Sequence, residues 1–484
     1  MNIADRDSSD WFNPVLIKEL RQFFHNRIVL SLMALLLVGQ LLVLLMVRLE
    51  HISSGELPDD LGSAVFTSII VVLQFCLFLI CGVGIAQSFL QERLNSELDF
   101  CKLTALSPAR IIRGKLGSAL VLLLFIHALC LPFVVIAYFL RGIAILQMLQ
   151  VVVLLLPMTL ALVFSSVLVG AIGKKGVIYF LAFGGIYYIS MLVMVLNDNR
   201  FWSQGMDMAE WLMVVVIPLF WSGLCYVLSV AAISHPMANR MFPARIYLLA
   251  MLVLSPAAVA GLAALIDEHV LDSLKIGFSI TAAWVVVILA LLAACERSRP
   301  SLHLQSKCPR HVLLRGGFFL LSSGSGGGIL LAALLLLSLL GCPLALSSSN
   351  TDWYEILWNF TNIAIYMLCY AALAVFLHEL MPRFSGLAWL SLILVVMLLL
   401  PAVISAFTST LAAPRLDYLT ITSPFYSPGN TGIYSASALS ALVAYSHSLP
   451  FAAAALLLAS PAIFRQWQAL APKSTAAENP SSLP

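Results

Sequence analysis

The sequence predicts an all-α fold, a polytopic bundle of about 12 transmembrane helices with both termini in the cytoplasm. Of the 484 residues, 61% are hydrophobic and only 10% are charged, whereas a soluble domain is about 45–50% apolar and about 25% charged. Apolar runs of about 20 residues recur along the chain, and each is long enough to cross a hydrocarbon core of about 30 Å. The strands of a membrane barrel would instead alternate apolar and polar residues over about 10 positions.

Twelve apolar runs are predicted to span the membrane. The first is interpreted as a retained helix and not as a cleaved signal peptide, because no small-residue cleavage site follows it. The ninth is interrupted by SSGSGGG at 322–328, which a span tolerates where neighbouring helices pack closely. The predicted spans are 28–47, 64–89, 116–140, 147–171, 176–196, 211–233, 247–266, 276–294, 318–341, 356–377, 387–407 and 437–463.

The distribution of basic residues predicts the orientation. If the N-terminus is cytoplasmic, 21 of the 26 lysines and arginines fall in inside segments and 5 fall outside, as the positive-inside rule requires. The sequence therefore predicts a multi-pass protein of the plasma (inner) membrane. No charged residue lies at the middle of a predicted span, which argues against a proton-coupled secondary transporter.

The predicted spans divide the chain into four regions. Residues 1–27 form a cytoplasmic N-terminal amphipathic helix, and residues 28–235 form a six-span domain. Residues 236–466 form a second six-span domain, either a divergent copy of the first or an accessory. Residues 467–484 form a disordered cytoplasmic tail.

The N-terminal region has the pattern of a helix lying on the cytoplasmic leaflet. In FNPVLIKELRQFFHNR (12–27), an Asn-Pro pair supplies a cap and a first helical residue. Leucines and phenylalanines then recur at helical spacing, with basic residues on the other side. This pattern is typical of an interfacial helix. Its candidate functional residues are Asn13, Pro14, Lys18, Glu19, Leu20 and Arg21.

A second polar segment joins the second and third predicted spans. Residues 92–106 have one apolar side at helical spacing and are predicted to form a short amphipathic helix. Ser107 and Pro108 then start the helix that leads into the third span. A helix, a tight turn and a second helix make a stiff cytoplasmic element, which would transmit motion from a bound partner.

These two segments together resemble the permeases of ABC type-2 transporters. NPVLIKELRQ at 13–22 is similar to the first helix of that family, and ER…ELDFCKLTALSPARIIRGK at 92–115 is similar to its first large cytoplasmic loop. The sequence departs from the family pattern at Ser96, Glu97 and Ala105. The resemblance covers residues 13 to about 235.

The resemblance implies the permease subunit of an ABC exporter, whose residues 92–108 are a coupling helix for a separate nucleotide-binding subunit. The partners would be that ABC ATPase, the lipid bilayer, and a second copy of the chain or a second permease. ATP and Mg would bind the partner, with no cofactor on this chain. The coupling residues are Glu92, Arg93, Glu97, Leu98, Asp99, Leu103, Thr104, Leu106, Ser107, Pro108, Ile112, Gly114 and Lys115.

The sequence has no catalytic pattern of its own. No GxxxxGK[ST] phosphate-binding loop occurs, and no catalytic cluster or HExxH appears, so the chain is not expected to be an enzyme. The loop 296–316, with His303, Cys308 and His311 near Cys295, fits no zinc spacing and is interpreted as a solvated basic loop without metal. No nucleic-acid partner is expected. The alternative function is a non-catalytic polytopic scaffold for an envelope or membrane assembly complex.

Overall fold

The protein is described from a computed structural model. The structure describes most of the chain between residues 13 and 470. The described ranges are 13–54, 61–95, 106–140, 143–173, 185, 189, 208–235, 237–265, 270–296, 301–309, 311–345, 351–397 and 448–470. Helices and turns account for these ranges, which contain no strand. The chain divides into two units, Met1–Ser234 and His235–Pro484, one residue from the boundary that the apolar runs suggest.

The first unit contains six described helices. They are α1 (Pro14–His25), α2 (Arg27–Ser54), α3 (Leu61–Leu94), α4 (Pro108–Phe139), α5 (Ile145–Ile172) and α6 (Met208–Ile233). The predicted fifth span, 176–196, lies outside the described residues apart from two positions. The unit's core is built mostly from apolar side chains of α2 to α5, and Phe23 of α1 and Ile233 of α6 also belong to it.

Apolar side chains also cover the outside of this unit. The helix α2 is apolar on all sides, and its residues Leu35, Leu41 and Leu45 are each about half exposed. A helix that is hydrophobic all round is buried in a large core or in a membrane. These outward leucines therefore fit contact with lipid.

The helix α3 is continuous from Leu61 to Leu94, eight residues longer than the predicted span 64–89, with five of the added residues at its C-terminal end. Its middle, Phe78–Gly84, has π-helical geometry, a local widening that often marks a functional position. Because α3 continues through Leu94, Glu92 and Arg93 lie at its C-terminal end. They do not begin a separate short helix.

The second unit contains eight described helices. They are α7 (Phe242–Leu265), α8 (Val270–Cys295), α9 (Leu302–Ser306), α10 (Val312–Leu321), α11 (Ser325–Ala345), α12 (Thr351–Leu380), α13 (Gly386–Met397) and α14 (Ser448–Ala469). The ladder Ala282, Val286, Leu289 and Ala293 of α8 is buried, and so are Ala364, Leu368 and Ala371 of α12. The alanines at four of these positions let the helices approach closely.

The predicted ninth span, 318–341, is not one continuous helix. The chain bends by 97° between Val312–Leu321 and Ser325–Leu339, so that α10 and α11 are nearly perpendicular. The break falls on Ser322, Ser323 and Gly324, the start of the SSGSGGG stretch. Polar side chains from other helices satisfy the backbone groups freed at this break, as described below.

Eight described helices are long and apolar enough to cross a bilayer, and the bent pair would make nine. Two further apolar helical segments of 10–17 described residues are Phe242–Ala258, the first part of α7, and Gly386–Met397. The structure thus has the all-helical, multi-span character that the sequence predicts. The total of twelve spans and the cytoplasmic location of both termini stay predictions.

Candidate functional site

The first helix is fastened to the start of α4 by Asn13. The Asn13 side chain accepts a hydrogen bond from the Val15 backbone N–H at 3.1 Å, which caps α1. Its Nδ2 group donates to the backbone carbonyl of Arg110 at 2.6 Å, across 97 residues of sequence. One amide side chain therefore both starts α1 and ties it to α4.

A buried group of four charges joins α1, α3 and α4. The Lys115 Nζ lies 2.5 Å from Glu19 Oε1 and 2.6 Å from Glu92 Oε2. Lys18 Nζ reaches the other Glu92 oxygen at 3.0 Å. The Lys115 ammonium also sits over the Phe89 ring, 4.5 Å from its centroid. We call Lys18, Glu19, Glu92 and Lys115 the charge cluster.

The charge cluster is neutral in total and mostly shielded from solvent. The side chains of Glu19 and Lys115 are each only 4% exposed, while Lys18 is 43% exposed at the edge. A buried charge is tolerated only when it is paired and hydrogen-bonded. Burial raises the pKa of the Glu19 carboxyl above its ordinary value of 4.5, against the opposing attraction of Lys115.

Glycines allow α1 to lie directly on α4. A Cβ atom on Gly114 would lie 2.6 Å from the Val15 Cβ, and one on Gly117 would lie 2.8 Å from a Leu16 methyl group. Real carbon atoms do not approach this closely, so any larger residue would push α1 away. If α1 moved away from α4, Lys115 would lose its ion pair with Glu19.

Arg93, the neighbour of Glu92, packs against the end of α5. A Cβ atom on Gly173 would lie 2.5 Å from the Arg93 side chain, and Gly173 ends α5 with a positive φ of 73°. The buried Arg93 Nη1 has no hydrogen-bond partner among the described residues. The last turn of α3 thus contacts α1 and α4 through Glu92 and α5 through Arg93.

The other predicted residues have varied positions. Ser107 caps α4 through a hydrogen bond from the Arg110 N–H, and Pro108 follows as its first residue. Ile112 is fully buried, and Leu106 is half-buried against the core of the first unit. Pro14 and Arg21 are exposed, and Leu20 is half-buried. The remaining predicted coupling residues, Glu97, Leu98, Asp99, Leu103 and Thr104, lie outside the described residues.

The second unit contains a separate buried ion pair that sequence reasoning missed. Arg245, at the start of α7, is 1% exposed, and its Nη2 donates to both Glu296 carboxylate oxygens at 2.8 Å. The same guanidinium donates to the backbone carbonyls of Leu320, Ser322 and Gly324. Arg245 therefore satisfies carbonyl groups on both sides of the break after α10, and the Gly324 carbonyl also accepts from the Gly328 N–H.

Two side chains satisfy the N–H groups on the other side of the same break. Glu296 accepts a hydrogen bond from the Gly324 N–H. Gln466 of α14 accepts from the N–H groups of Gly326 and Gly327, at 2.8 and 3.3 Å. Three backbone N–H groups at the start of α11 thus have acceptors from other segments of the chain. A sequence signal existed: Arg245 and Glu296 flank consecutive predicted spans at their ends on the same side.

The described residues show neither a metal centre nor a nucleophile with an adjacent base. No three His, Cys, Asp or Glu side chains in the described ranges come together as metal ligands, with Cys295, His303, Cys308 and His311 among those residues. Both polar clusters are closed networks of ion pairs and hydrogen bonds. Such networks fix the arrangement of the helices that they join.

Comparison with known proteins identifies no relative. The chain matches no protein family, no curated protein and no solved structure.

Proposed function

We propose that the chain is the membrane-spanning permease subunit of an ABC exporter in the plasma (inner) membrane, with twelve spans and both termini cytoplasmic. A separate ATPase subunit would dock on residues 92–108, which we call the coupling segment. The observation that supports this proposal is that the two segments that resemble ABC type-2 permeases contact each other in the first unit. Lys115 and Glu92 bracket the coupling segment in sequence, and both join Glu19 and Lys18 of α1 in one charge cluster.

This arrangement suits a device that receives force from a partner. The coupling segment begins at the end of α3 and ends at the start of α4. Glu92 at its beginning and Lys115 just after it are held 2.6 Å apart, and Asn13 adds a bond from α1 to Arg110. A push on the segment would move α1, α3 and α4 as one body, because buried ion pairs resist separation.

Exposed basic side chains next to the segment offer a way to test docking without unfolding the protein. Leu106 is half-buried in the unit, so replacing it would also disturb the core. Arg110 and Arg113 are exposed on the first turns of α4. We expect the double change Arg110→Glu and Arg113→Glu to leave membrane insertion intact and to weaken ATPase docking.

The first experiment is purification of the tagged chain from native membranes in mild detergent, with identification and stoichiometry of the proteins that accompany it. A soluble protein with a Walker motif should co-purify with the wild type and be lost from the double variant. Arg383→Glu is the matched control, because Arg383 is exposed and lies on the same predicted side of the membrane. If envelope or assembly proteins appear without any ATPase, the chain is a scaffold and the permease proposal fails.

A further inference from the structure

An apolar groove lies in the second unit between α10, α11 and α14. Its volume is about 540 Å³, within the range of about 300–1,000 Å³ found for small-molecule sites. Its walls include Gly316, Phe319 and Leu320 of α10, Leu330 of α11, and Phe464 and Trp467 of α14. Ser460 is the one hydroxyl-bearing residue that lines it. The groove therefore suits a flexible hydrocarbon chain.

The position of α10 places this groove at a membrane surface. The helix α10 lies at 97° to the start of α11, so if α11 crosses the bilayer, α10 runs along its surface. Val312, Leu313 and Leu314 at the start of α10 are 71%, 90% and 61% exposed. Apolar residues exposed on such a helix are expected to insert among lipid chains.

Arg315 adjoins the groove, because it precedes Gly316 in α10 and contacts Trp467, and both of these residues line the groove. Its guanidinium stacks on the Trp467 ring, 4.1 Å from the centroid, and its Nη2 donates to the Trp467 carbonyl at 3.1 Å. A guanidinium presents its donors in a rigid fork that matches the oxygens of a phosphate.

The charge of Arg315 is uncompensated, unlike that of two other arginines in the unit. Arg245 pairs with Glu296 at 2.8 Å, and Arg465 pairs with Glu379 at 3.3 Å. No carboxylate pairs with Arg315 in the part of the chain that the structure describes. An anionic group from outside the chain would supply that partner.

We propose that the groove binds an anionic phospholipid, whose phosphate accepts hydrogen bonds from Arg315 and whose acyl chain lies along α14. From Trp467 to Ser460 the helix rises about 10 Å, so the apolar walls extend from the headgroup end into the membrane. Trp467 and Arg315 are residue types that anchor helices at the interface. The C-terminal end of α14 is predicted to be cytoplasmic, the side on which anionic lipids are enriched. This proposal does not depend on the transport function.

The test is lipid retention by the purified full-length chain, measured by native mass spectrometry. Delipidated protein in detergent is mixed with phosphatidylglycerol or with phosphatidylcholine of the same acyl chains. We expect the wild type to retain phosphatidylglycerol preferentially. We expect Arg315→Gln to weaken that retention about fivefold, the effect of one basic residue near a lipid headgroup, and to weaken phosphatidylcholine retention less, because the choline ammonium offsets the charge of its phosphate.

Groove-filling variants test the acyl-chain site separately. A Cβ atom on Gly316 or on Gly317 would meet no atom within 4 Å, so both positions accept a larger residue, but only Gly316 lines the groove. Gly316→Leu should reduce the retention of both lipids, and Gly317→Leu should not. Ser460→Leu fills the groove from α14 and provides a second test if the glycine variant unfolds.

Three results would overturn the proposal. Arg315→Gln could match Arg465→Gln, whose arginine is 66% exposed and already paired. The groove-filling variants could retain lipid as well as Gly317→Leu does. Finally, inorganic phosphate could displace phosphatidylglycerol, which would make the site a simple anion site and not a lipid site.

Discussion

Lys115 is the residue on which the charge cluster depends, because it alone contacts both carboxylates that lie inside the first unit. Removing one partner of a buried pair leaves an uncompensated charge and costs about 3–5 kcal/mol, whereas an exposed pair contributes about 0–1 kcal/mol. We therefore expect Lys115→Met to lower the thermal unfolding temperature of the detergent-solubilised protein strongly. Lys18→Met, at the exposed edge of the same cluster, should lower it little. Equal shifts for the two variants would contradict the assignment of Lys115 as the central residue.

Glu19 should make the stability of the first unit depend on pH. Its carboxyl has a raised pKa in the folded protein because it is buried. A carboxyl with a raised folded pKa favours folding below its unfolded pKa and loses that contribution as the pH rises through the folded value. The wild type should thus gain stability relative to Glu19→Gln as the pH falls from neutral toward 4.5, the ordinary glutamate value. Unfolding temperatures measured across this range check the sign, and parallel curves would refute it.

At the residue scale, the sequence identified all four residues of the charge cluster as functional candidates, but it did not predict which of them form ion pairs. Glu19 and Lys115 are 96 residues apart, and no local pattern links two such positions. A signal for the burial of Glu19 was present, because it lies between Leu16 and Phe23 on the apolar side of α1. The pairing of Arg245 with Glu296 had a weaker signal, their places at the ends of consecutive spans.

The element whose docking depends most on a single side chain is α1. Asn13 provides both the cap of α1 and the bond to Arg110. An N-cap is worth about 0.5–2 kcal/mol, and the loss of the second bond should also release α1 from α4. We expect Asn13→Ala to increase hydrogen exchange in the backbone of α1.

The matched control for this prediction is Ser107→Ala. Ser107 caps α4 through the Arg110 N–H but makes no described bond to α1. Its removal should increase exchange in the first turn of α4 and leave α1 protected. If both variants expose α1 to the same extent, the long-range bond of Asn13 does not hold the helix.

Helices were predictable from the sequence where capping and apolar pattern agree, and less so where tertiary contacts override the pattern. α1 begins at Pro14 and α4 at Pro108, the positions that their Asn-Pro and Ser-Pro pairs indicate. The break between α10 and α11 was not predictable as a sharp bend. The SSGSGGG stretch permits a break, but the contacts of Arg245, Glu296 and Gln466 stabilise it, and these side chains come from three distant segments.

On the scale of the whole chain, composition determined the class of fold, because no soluble core could bury so much apolar surface. Among the described helices, eight, or nine with the bent pair, are long and apolar enough to cross a bilayer, whereas the sequence predicts twelve spans. Their number matters because each added span moves the C-terminus to the opposite side of the membrane.

The orientation can be tested with reporter fusions to the full-length chain. Twelve spans, an even number, would place both termini on one side, and the 21-to-5 distribution of basic residues predicts that this side is the cytoplasm. A fluorescent protein that folds only in the cytoplasm should therefore be bright at either terminus. A periplasmic phosphatase inserted in the predicted outside loop 408–436 should be active, and the same insertion in the predicted inside loop 297–310 should be inactive. A dark C-terminal fusion beside a bright N-terminal one would mean an odd number of spans. The bent α10–α11 pair is the described segment that either crosses the membrane as a broken span or enters and leaves on the same side. An odd number of spans would indicate that it enters and leaves on the same side.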